Sequence, residues 1–221
     1  MKRTLFKTAD GSYSLHINEW NEQYHSKHGA IAEALHVFIK EGLHYWFSEN
    51  KEPGVSILEI GFGTGLNAFL TFLETEKNSF AVNYTGIEAY PLQIDEIRQL
   101  NYASLLNTSE EKFIQFHDAP WEEKTRFSEK FHLAKIQQFF SEISVENAFN
   151  LIYFDAFGIR VQPELWTEKI FSIMYRSLKA NGVLVTYAAN GNARRAMQAV
   201  GFTVYRLPGP PGKKEMLRAV K

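Results

Sequence analysis

From residue 55 onward, the apolar positions fall in short runs separated by stretches with helical spacing, and this alternation sets the expected fold. Val55–Ile60 reads as a strand, Leu66–Glu74 as a helix, Val82–Ile87 as a strand and Leu92–Tyr102 as a helix. Phe113–Phe116, Leu151–Phe154 and Val183–Tyr187 read as further strands, with helices over Leu133–Ile143 and Pro163–Leu178. Strands alternating with helices predict an α/β fold: a mostly parallel sheet covered on both faces. The last two strands, Phe202–Leu207 and Glu215–Val220, are joined by the loop PGPPGKK with no helix between them, which predicts an antiparallel hairpin at one sheet edge. Before the alternation begins, TLFKTADGSYSLHI alternates around Asp10-Gly11 as a hairpin does. Ile31, Leu35, Phe38, Ile39, Leu43 and Trp46 then recur at helical spacing over Ala30–Phe47. The expected organisation is a hairpin-and-helix extension over residues 1–50, packed on a core domain over 51–221.

Composition narrows the class. The 221 residues are 45% hydrophobic and 22% charged, which fits a soluble globular protein with a substantial core. No apolar run reaches the roughly 18 residues of a membrane span. The start MKRTLFKTADGSYSL turns polar too early for a signal peptide, so the expectation is a cytoplasmic protein. The absence of cysteine excludes disulfides, thiolate zinc sites and cysteine nucleophiles. The seven histidines show no metal-ligand spacing, so no metal is expected. A net charge of −1 argues against coating nucleic acid by bulk charge. A local patch is another matter. From residue 194 onward Arg194, Arg195, Arg206, Lys213, Lys214, Arg218 and Lys221 face the single acid Glu215, either as a solvated surface or as a phosphate-binding rim.

The candidate chemistry follows the strands. Glu59-Ile60-Gly61-Phe62-Gly63-Thr64-Gly65-Leu66-Asn67 directly succeeds the first parallel strand. A dinucleotide loop would read G-x-G-x-x-G, whereas here the third glycine comes one residue early. The compact G-x-G-x-G preceded by Glu59 is the form that binds S-adenosylmethionine (SAM). Together with the closing hairpin it predicts a class I SAM-dependent methyltransferase with a Rossmann-like sheet. Glu59, Gly61, Phe62, Gly63, Thr64, Gly65 and Asn67 are the candidate cofactor residues of the loop. Glu88 ends the second strand, where a carboxylate can accept both ribose hydroxyls. Asp118 follows the run Phe113–Phe116, taken as the third strand, where it can accept from the adenine amino group. Each acid alone could equally be a strand-end cap or a turn residue.

IYFDAFG (152–158) poses the sharpest question, because its apolar run ends on a carboxylate. Burying a lone carboxylate is costly unless it meets a partner. Asp155 ends the fourth strand, beside the point where strand order should reverse. An alkyl amine, with a pKa of about 10, must lose a proton before it attacks a methyl group. Asp155 can bind such an ammonium and help it shed the proton, while Phe157 or Tyr153 packs a planar base or lines the sulfonium with a ring face. The other reading makes Asp155 a cap for the helix near Pro163 or a partner of Arg160.

These residues resemble a known family, the methyltransferase half of the bacterial tRNA wobble-uridine enzyme MnmC and its stand-alone MnmD relatives. The resemblance runs through EQYHSKHGAIAEALHVFI (22–39), LEIGFGTGLNAFLT (58–71), GIEAYPL (86–92), FDAFGIRVQPELWT (154–167), VLVTYAANGNARRAMQAVGF (183–202) and GPPGKKEMLRA (209–219). It implies methyl transfer from SAM to the exocyclic amine of 5-aminomethyl-(2-thio)uridine at the tRNA wobble position, with tRNA, through its anticodon loop, as the partner. Asp155 and Phe157 would then serve the reaction. Tyr24, with His25 and Ser26, would close over SAM. Arg194 and Arg195, beyond Asn190, and Lys213 and Lys214 would meet the RNA. Family members with two activities carry a C-terminal flavin-dependent oxidase, so a chain ending at Lys221 is expected to perform methyl transfer alone. Many relatives also carry Ala/Ser-Pro where this chain has Gly158-Ile159. Two rival readings are methyl transfer to a small-molecule amine and a non-catalytic binding module of the same fold. A nicotinamide oxidoreductase is opposed by the glycine spacing.

Overall fold

A computed structural model describes residues 2–221. Strands β1 (Arg3–Lys7), β2 (Tyr13–Ile17) and β3 (Glu22–Gln23) form a small antiparallel sheet, with the expected turn at Asp10-Gly11. A helix over 30–49 follows, π-helical from Leu35 to His44. Its Gly42 lies against Tyr153 and Val185 of the main sheet, so near that a Cβ there would sit 3.0 Å from Val185 Cγ2.

The main sheet has eight strands: β4 (Gly54–Ile60), β5 (Ala81–Ile87), β6 (Lys124–Arg126), β7 (Phe131–Ile136), β8 (Phe149–Phe154), β9 (Leu178–Thr186), β10 (Thr203–Pro208) and β11 (Glu215–Val220). Their order is β10-β11-β9-β8-β4-β5-β7-β6. The five central strands β9, β8, β4, β5 and β7 are parallel, while β11, β10 and β6 run against their neighbours. This is the expected mostly parallel α/β sheet with its C-terminal antiparallel hairpin. Successive side chains divide between the two faces. Leu151 and Tyr153 join a core under helices 30–49, Leu66–Lys77 and Glu110–Asp118. Ile152 and Phe154 join a second core under helices Glu168–Ser177 and Gly191–Ala199. Every residue of β8 is buried, as a central parallel strand requires.

Two expected elements exchange character. Phe113–Phe116 is not a strand: it lies in helix Glu110–Asp118, where Phe113 and Phe116, three positions apart, share the buried face. The third parallel strand is β7, within a stretch expected to begin a helix at Leu133. Its inward positions are Phe131, Leu133 and Lys135, and the lysine disguises the alternation. Lys135 is 1% exposed. Its ammonium donates to the His117 carbonyl at 2.6 Å and lies 5.0 Å from the Trp121 ring centroid. The helix expected over Pro163–Leu178 is split into a 3-10 turn, Pro163–Trp166, and helix Glu168–Ser177. The stretch expected as a helix over Leu92–Tyr102 holds the short helix Ile94–Ile97, and a second, Tyr102–Leu105, follows.

Order reverses at β4: the chain proceeds outward through β5 and β7 on one side and through β8 and β9 on the other. In open α/β sheets the crevice beyond the carboxyl ends of such strands is the ligand site. Gly86 on β5 prepares that crevice, because the Phe62 ring of the glycine loop lies directly upon it. A Cβ at residue 86 would stand 2.4 Å from Phe62 Cδ2. Gly86→Ala is therefore expected to destabilise the fold by about 1–3 kcal/mol through forced displacement of Phe62, read as a lower thermal midpoint. An unchanged midpoint would show that the ring moves freely.

Candidate active site

Beyond the ends of β4, β5 and β8 lies a cavity of about 650 Å³. The loop after β4 forms its floor. Phe62 and Gly61 both donate backbone N–H bonds to the Ile87 carbonyl at 3.0 Å, which holds the turn against the end of β5. Gly61 has φ +90°, and a Cβ on it would lie 2.7 Å from the Asp155 carbonyl oxygen. Glycine at this position thus serves the close approach of β4 and β8 as much as any ligand. Gly61, Phe62, Gly63, Thr64 and Asn67 line the cavity, whereas Gly65 and Glu59 do not. Glu88 accepts from the backbone N–H of Gly63 at 3.0 Å and of Tyr90 at 2.9 Å. A carboxylate offers about four lone-pair sites, so Glu88, on the wall, keeps two for a diol.

Beneath this floor lies a shared hydrogen bond. The Asn67 side-chain nitrogen donates to Glu59 Oε1 and to Asp155 Oδ2, each at 2.9 Å. Glu59 is 1% exposed, and its other oxygen has no protein partner. Burial, reinforced by the neighbouring charge of Asp155, holds the Glu59 carboxyl well above the ordinary glutamate value. Its place is under the loop rather than on the wall, where it positions Asn67. Asp155 lines the cavity and is half-buried. Burial first, and then the charge of Glu33, push its carboxyl up to about 7, against the lowering effects of the Asn67 hydrogen bond and Lys213. Neither an Arg160 partnership nor a helix cap accounts for it: Arg160 pairs with Glu22 at 3.0 Å and donates to the Trp20 and Asn21 carbonyls.

The roof comes from the N-terminal segment. Tyr24 and Trp20 meet the Phe157 ring edge-on, with centroids 5.0 and 5.6 Å apart. His25, beside them, is half-buried, and its desolvation lowers its pKa to about 4, so it stands neutral. Trp20, Tyr90, Phe139, Phe140 and Tyr187, none of them a candidate from the sequence alone, also line the cavity. Tyr187, just past β9, donates to the Ala156 carbonyl at 2.8 Å. Tyr153 is not available to a ligand, since it is fully buried beside Phe38 and Tyr84.

Other expected residues lie elsewhere. Asp118 ends helix Glu110–Asp118 on the exposed surface and is not brought to the cavity, because the strand that should precede it is a helix. The residues that follow the true third parallel strand are Gln137 and Gln138, and then Phe139, Phe140 and Ser141 on the cavity wall. Arg194 and Arg195 stand on helix Gly191–Ala199 outside the cavity, with Asn190 capping that helix through Ala193 N at 2.8 Å. Lys214 is exposed, but Lys213 turns inward to Glu33. A second cavity, of about 490 Å³, lies between the segment 22–28, Glu33 and Lys213, and meets the first at Asn67, Asp155 and Tyr187.

A nucleoside bearing a cationic sulfonium fits the first cavity. The volume suits a ligand of that size, Glu88 suits a ribose, and the aromatic faces with Asp155 suit a positive centre. Among the described residues, no helix is long and apolar enough to cross a membrane.

The chain is similar to known proteins along most of its length. The chain is 29% identical over 213 residues to the tRNA 5-methylaminomethyl-2-thiouridine biosynthesis bifunctional protein MnmC of Leptospira borgpetersenii serovar Hardjo-bovis, covering 90% of this chain and 32% of the relative. It thus spans about a third of the length of the curated relatives it matches. The crystal structure of MNMC2 from Aquifex aeolicus superposes with a TM-score of 0.79 at 25% identity, covering 99% of this chain and 69% of that one. Spermidine synthase from Thermotoga maritima shares the fold, with a TM-score of 0.60 at 17% identity over 99% of this chain and 68% of that one. Residues 93–221, more than half of the chain, match a family model described as S-adenosyl-L-methionine-dependent methyltransferase, and the chain belongs to that family.

Proposed function

We propose that this methyltransferase acts on a primary amine, the exocyclic aminomethyl group of a wobble uridine in tRNA, and converts it to methylaminomethyl. The observation that carries the reading is Asp155, a carboxylate enclosed at the junction of the two cavities with one oxygen held by Asn67 and the other free. The similarity to MnmC and to MNMC2 supports the tRNA substrate. Gly61, Phe62, Gly63, Thr64, Asn67, Glu88 and Tyr24 would hold SAM, which supplies a methyl group on a positively charged sulfur that leaves as a neutral thioether.

The protein's own task is to present a neutral amine in line with that methyl. Asn67 fixes one Asp155 oxygen, and the free oxygen receives an ammonium N–H. A carboxyl raised to about 7 lies closer to an alkylammonium, at about 10, than an ordinary aspartate does, so it is the better proton acceptor. The nitrogen lone pair so released forms the new N–C bond, and the proton passes from Asp155 to solvent. Phe157, Trp20 and Tyr187 exclude water and offer faces on which a uracil ring can stack. A small-molecule amine is the alternative acceptor.

Labelled-methyl transfer decides between them. Label is expected on tRNA carrying 5-aminomethyluridine, at the exocyclic nitrogen, and not on tRNA lacking it. Label on free small amines with none on either tRNA would overturn the tRNA reading.

The Asp155 carboxyl also makes a pH prediction. In the unfolded chain it ionises near the ordinary 3.8, and in the folded chain near 7. Between those values the unfolded state binds fewer protons, so stability falls as pH rises. Asp155→Asn is expected to flatten that fall and raise the thermal midpoint at pH 8, while lowering turnover about 10²- to 10⁴-fold. Wild-type turnover should rise with pH through about 7. A pH-independent rate, or an Asn variant less stable at pH 8, would remove Asp155 from this role.

A further inference from the structure

The second cavity contains a cation seat that is already filled by the protein itself. Glu33 stands in the first turn of the helix over 30–49, and its side chain is 8% exposed. One carboxylate oxygen accepts from the Ser26 backbone N–H at 3.0 Å, which leaves the other aimed into the cavity. A carboxylate so far removed from water needs a positive partner. That partner is the Lys213 ammonium, which binds Glu33 Oε1 and lies 3.8 Å from the centroid of the Tyr187 ring. A carboxylate and an aromatic face together are a recognition site for an alkylammonium. The Tyr187 ring is anchored through its hydroxyl to the Ala156 carbonyl, beside Asp155.

Lys213 is well suited to leaving. It comes from the loop joining β10 and β11, its side chain is 31% exposed, and its flexible four-carbon stem carries a readily hydrated charge. The loop itself is closed by Lys213 N to the Pro210 carbonyl at 2.9 Å and Gly209 N to the Lys214 carbonyl at 3.1 Å, so the ammonium can swing outward without unfolding the turn.

We propose that Lys213 is a built-in stand-in for the substrate ammonium: the acceptor amine enters through the second cavity, displaces Lys213 from Glu33 and Tyr187, and passes from that seat to Asp155. The inference rests on the reading of the acceptor as an amine. At the Glu33 seat the exchange leaves the number of enclosed charges unchanged, and Lys213 returns to Glu33 as the amine passes to Asp155, so neither carboxylate is left without a cation. It also separates the two cavities by task. The donor's methyl must be attacked from the side opposite its sulfur, so donor and acceptor need different approaches to Asp155. Glu33 is thus a positioning and specificity-determining residue that favours cationic acceptors, and Lys213 sets the threshold for entry.

The test compares KM and kcat for tRNA carrying 5-aminomethyluridine with equilibrium binding of the same tRNA carrying uncharged 5-hydroxymethyluridine. Lys213→Met is expected to lower KM for the amine substrate about three- to tenfold by removing the competitor. Glu33→Gln is expected to raise it about tenfold. Lys213→Arg, which keeps the cation, should stay near wild type. Binding of the hydroxymethyl tRNA should change less than twofold in all three. If Lys213→Met weakens both tRNAs alike, Lys213 is a phosphate contact and the inference is overturned. If Lys213→Met and Glu33→Gln lower only the thermal midpoint, with KM unmoved, the pair is a structural clasp and the inference fails while the proposed function stands. A wild-type protein that methylates no amine would end both.

Discussion

One side-chain amide holds the site together. The nitrogen of Asn67 carries two hydrogens, and each goes to a different enclosed carboxylate, Glu59 or Asp155. Glu59 belongs to β4, Asn67 to the helix after the glycine loop and Asp155 to the end of β8, so a single group couples the strand, the loop and the acid. The coupling is possible only because Gly61 lets the backbones of β4 and β8 meet: Asp155 N donates to the Ile60 carbonyl at 2.9 Å. The electrostatic consequence follows from the geometry. Burial first, and then the charge of Asp155, lets Glu59, the deeper carboxyl, keep its proton most firmly, whereas burial and the charge of Glu33 leave Asp155, open to the cavities, to exchange one near neutrality.

The roof over this arrangement is held by packing more than by charge. Arg160 reaches Glu22 and two backbone carbonyls, but its side chain is 63% exposed, and such an ion pair is worth little in water. The edge-on contacts of Phe157 with Trp20 and Tyr24 are each worth about 0.5–1.5 kcal/mol beyond the area they bury. On the far side Arg3 ties the small sheet down through Glu96 at 3.1 Å and the Tyr24 hydroxyl at 3.0 Å. The N-terminal strands therefore act as a cover whose inner surface is aromatic and whose fastenings lie at its edges.

Much of this was legible in the sequence where a chemical residue directly ends an apolar run. Gly61, Gly63, Glu88 and Asp155 all stand at strand ends, and a parallel sheet brings strand ends to one crevice whatever else the chain does. Legibility failed where one residue fitted two periods. Phe113 and Phe116 serve a helix face as well as a short strand, and the buried Lys135 breaks the alternation of β7, so the third strand was misplaced and Asp118 with it. The roof was only half visible. Tyr24 and Tyr187 lie in segments matched by family resemblance, but Trp20 lies outside them, and no local pattern distinguishes Trp20 or Tyr187 from core aromatics. Lys213 shows the limit most clearly: beside Lys214 it reads as one of two surface cations, and only the fold turns it inward onto Glu33.

The likeness to spermidine synthase sharpens what the fold alone can specify. A shared sheet and glycine loop place a nucleoside and leave the acceptor open. Discrimination must then come from the enclosed charges. The second cavity presents Glu33 and Asp155, with Lys213 bound to Glu33 and Tyr187 as a ring face. On the proposed exchange an uncharged acceptor cannot replace the Lys213 cation on Glu33, so it gains nothing from that seat. An ammonium replaces what it removes. On the proposed exchange, selectivity for an amine would be a property of the charge balance in the second cavity, set independently of how the first cavity grips its nucleoside.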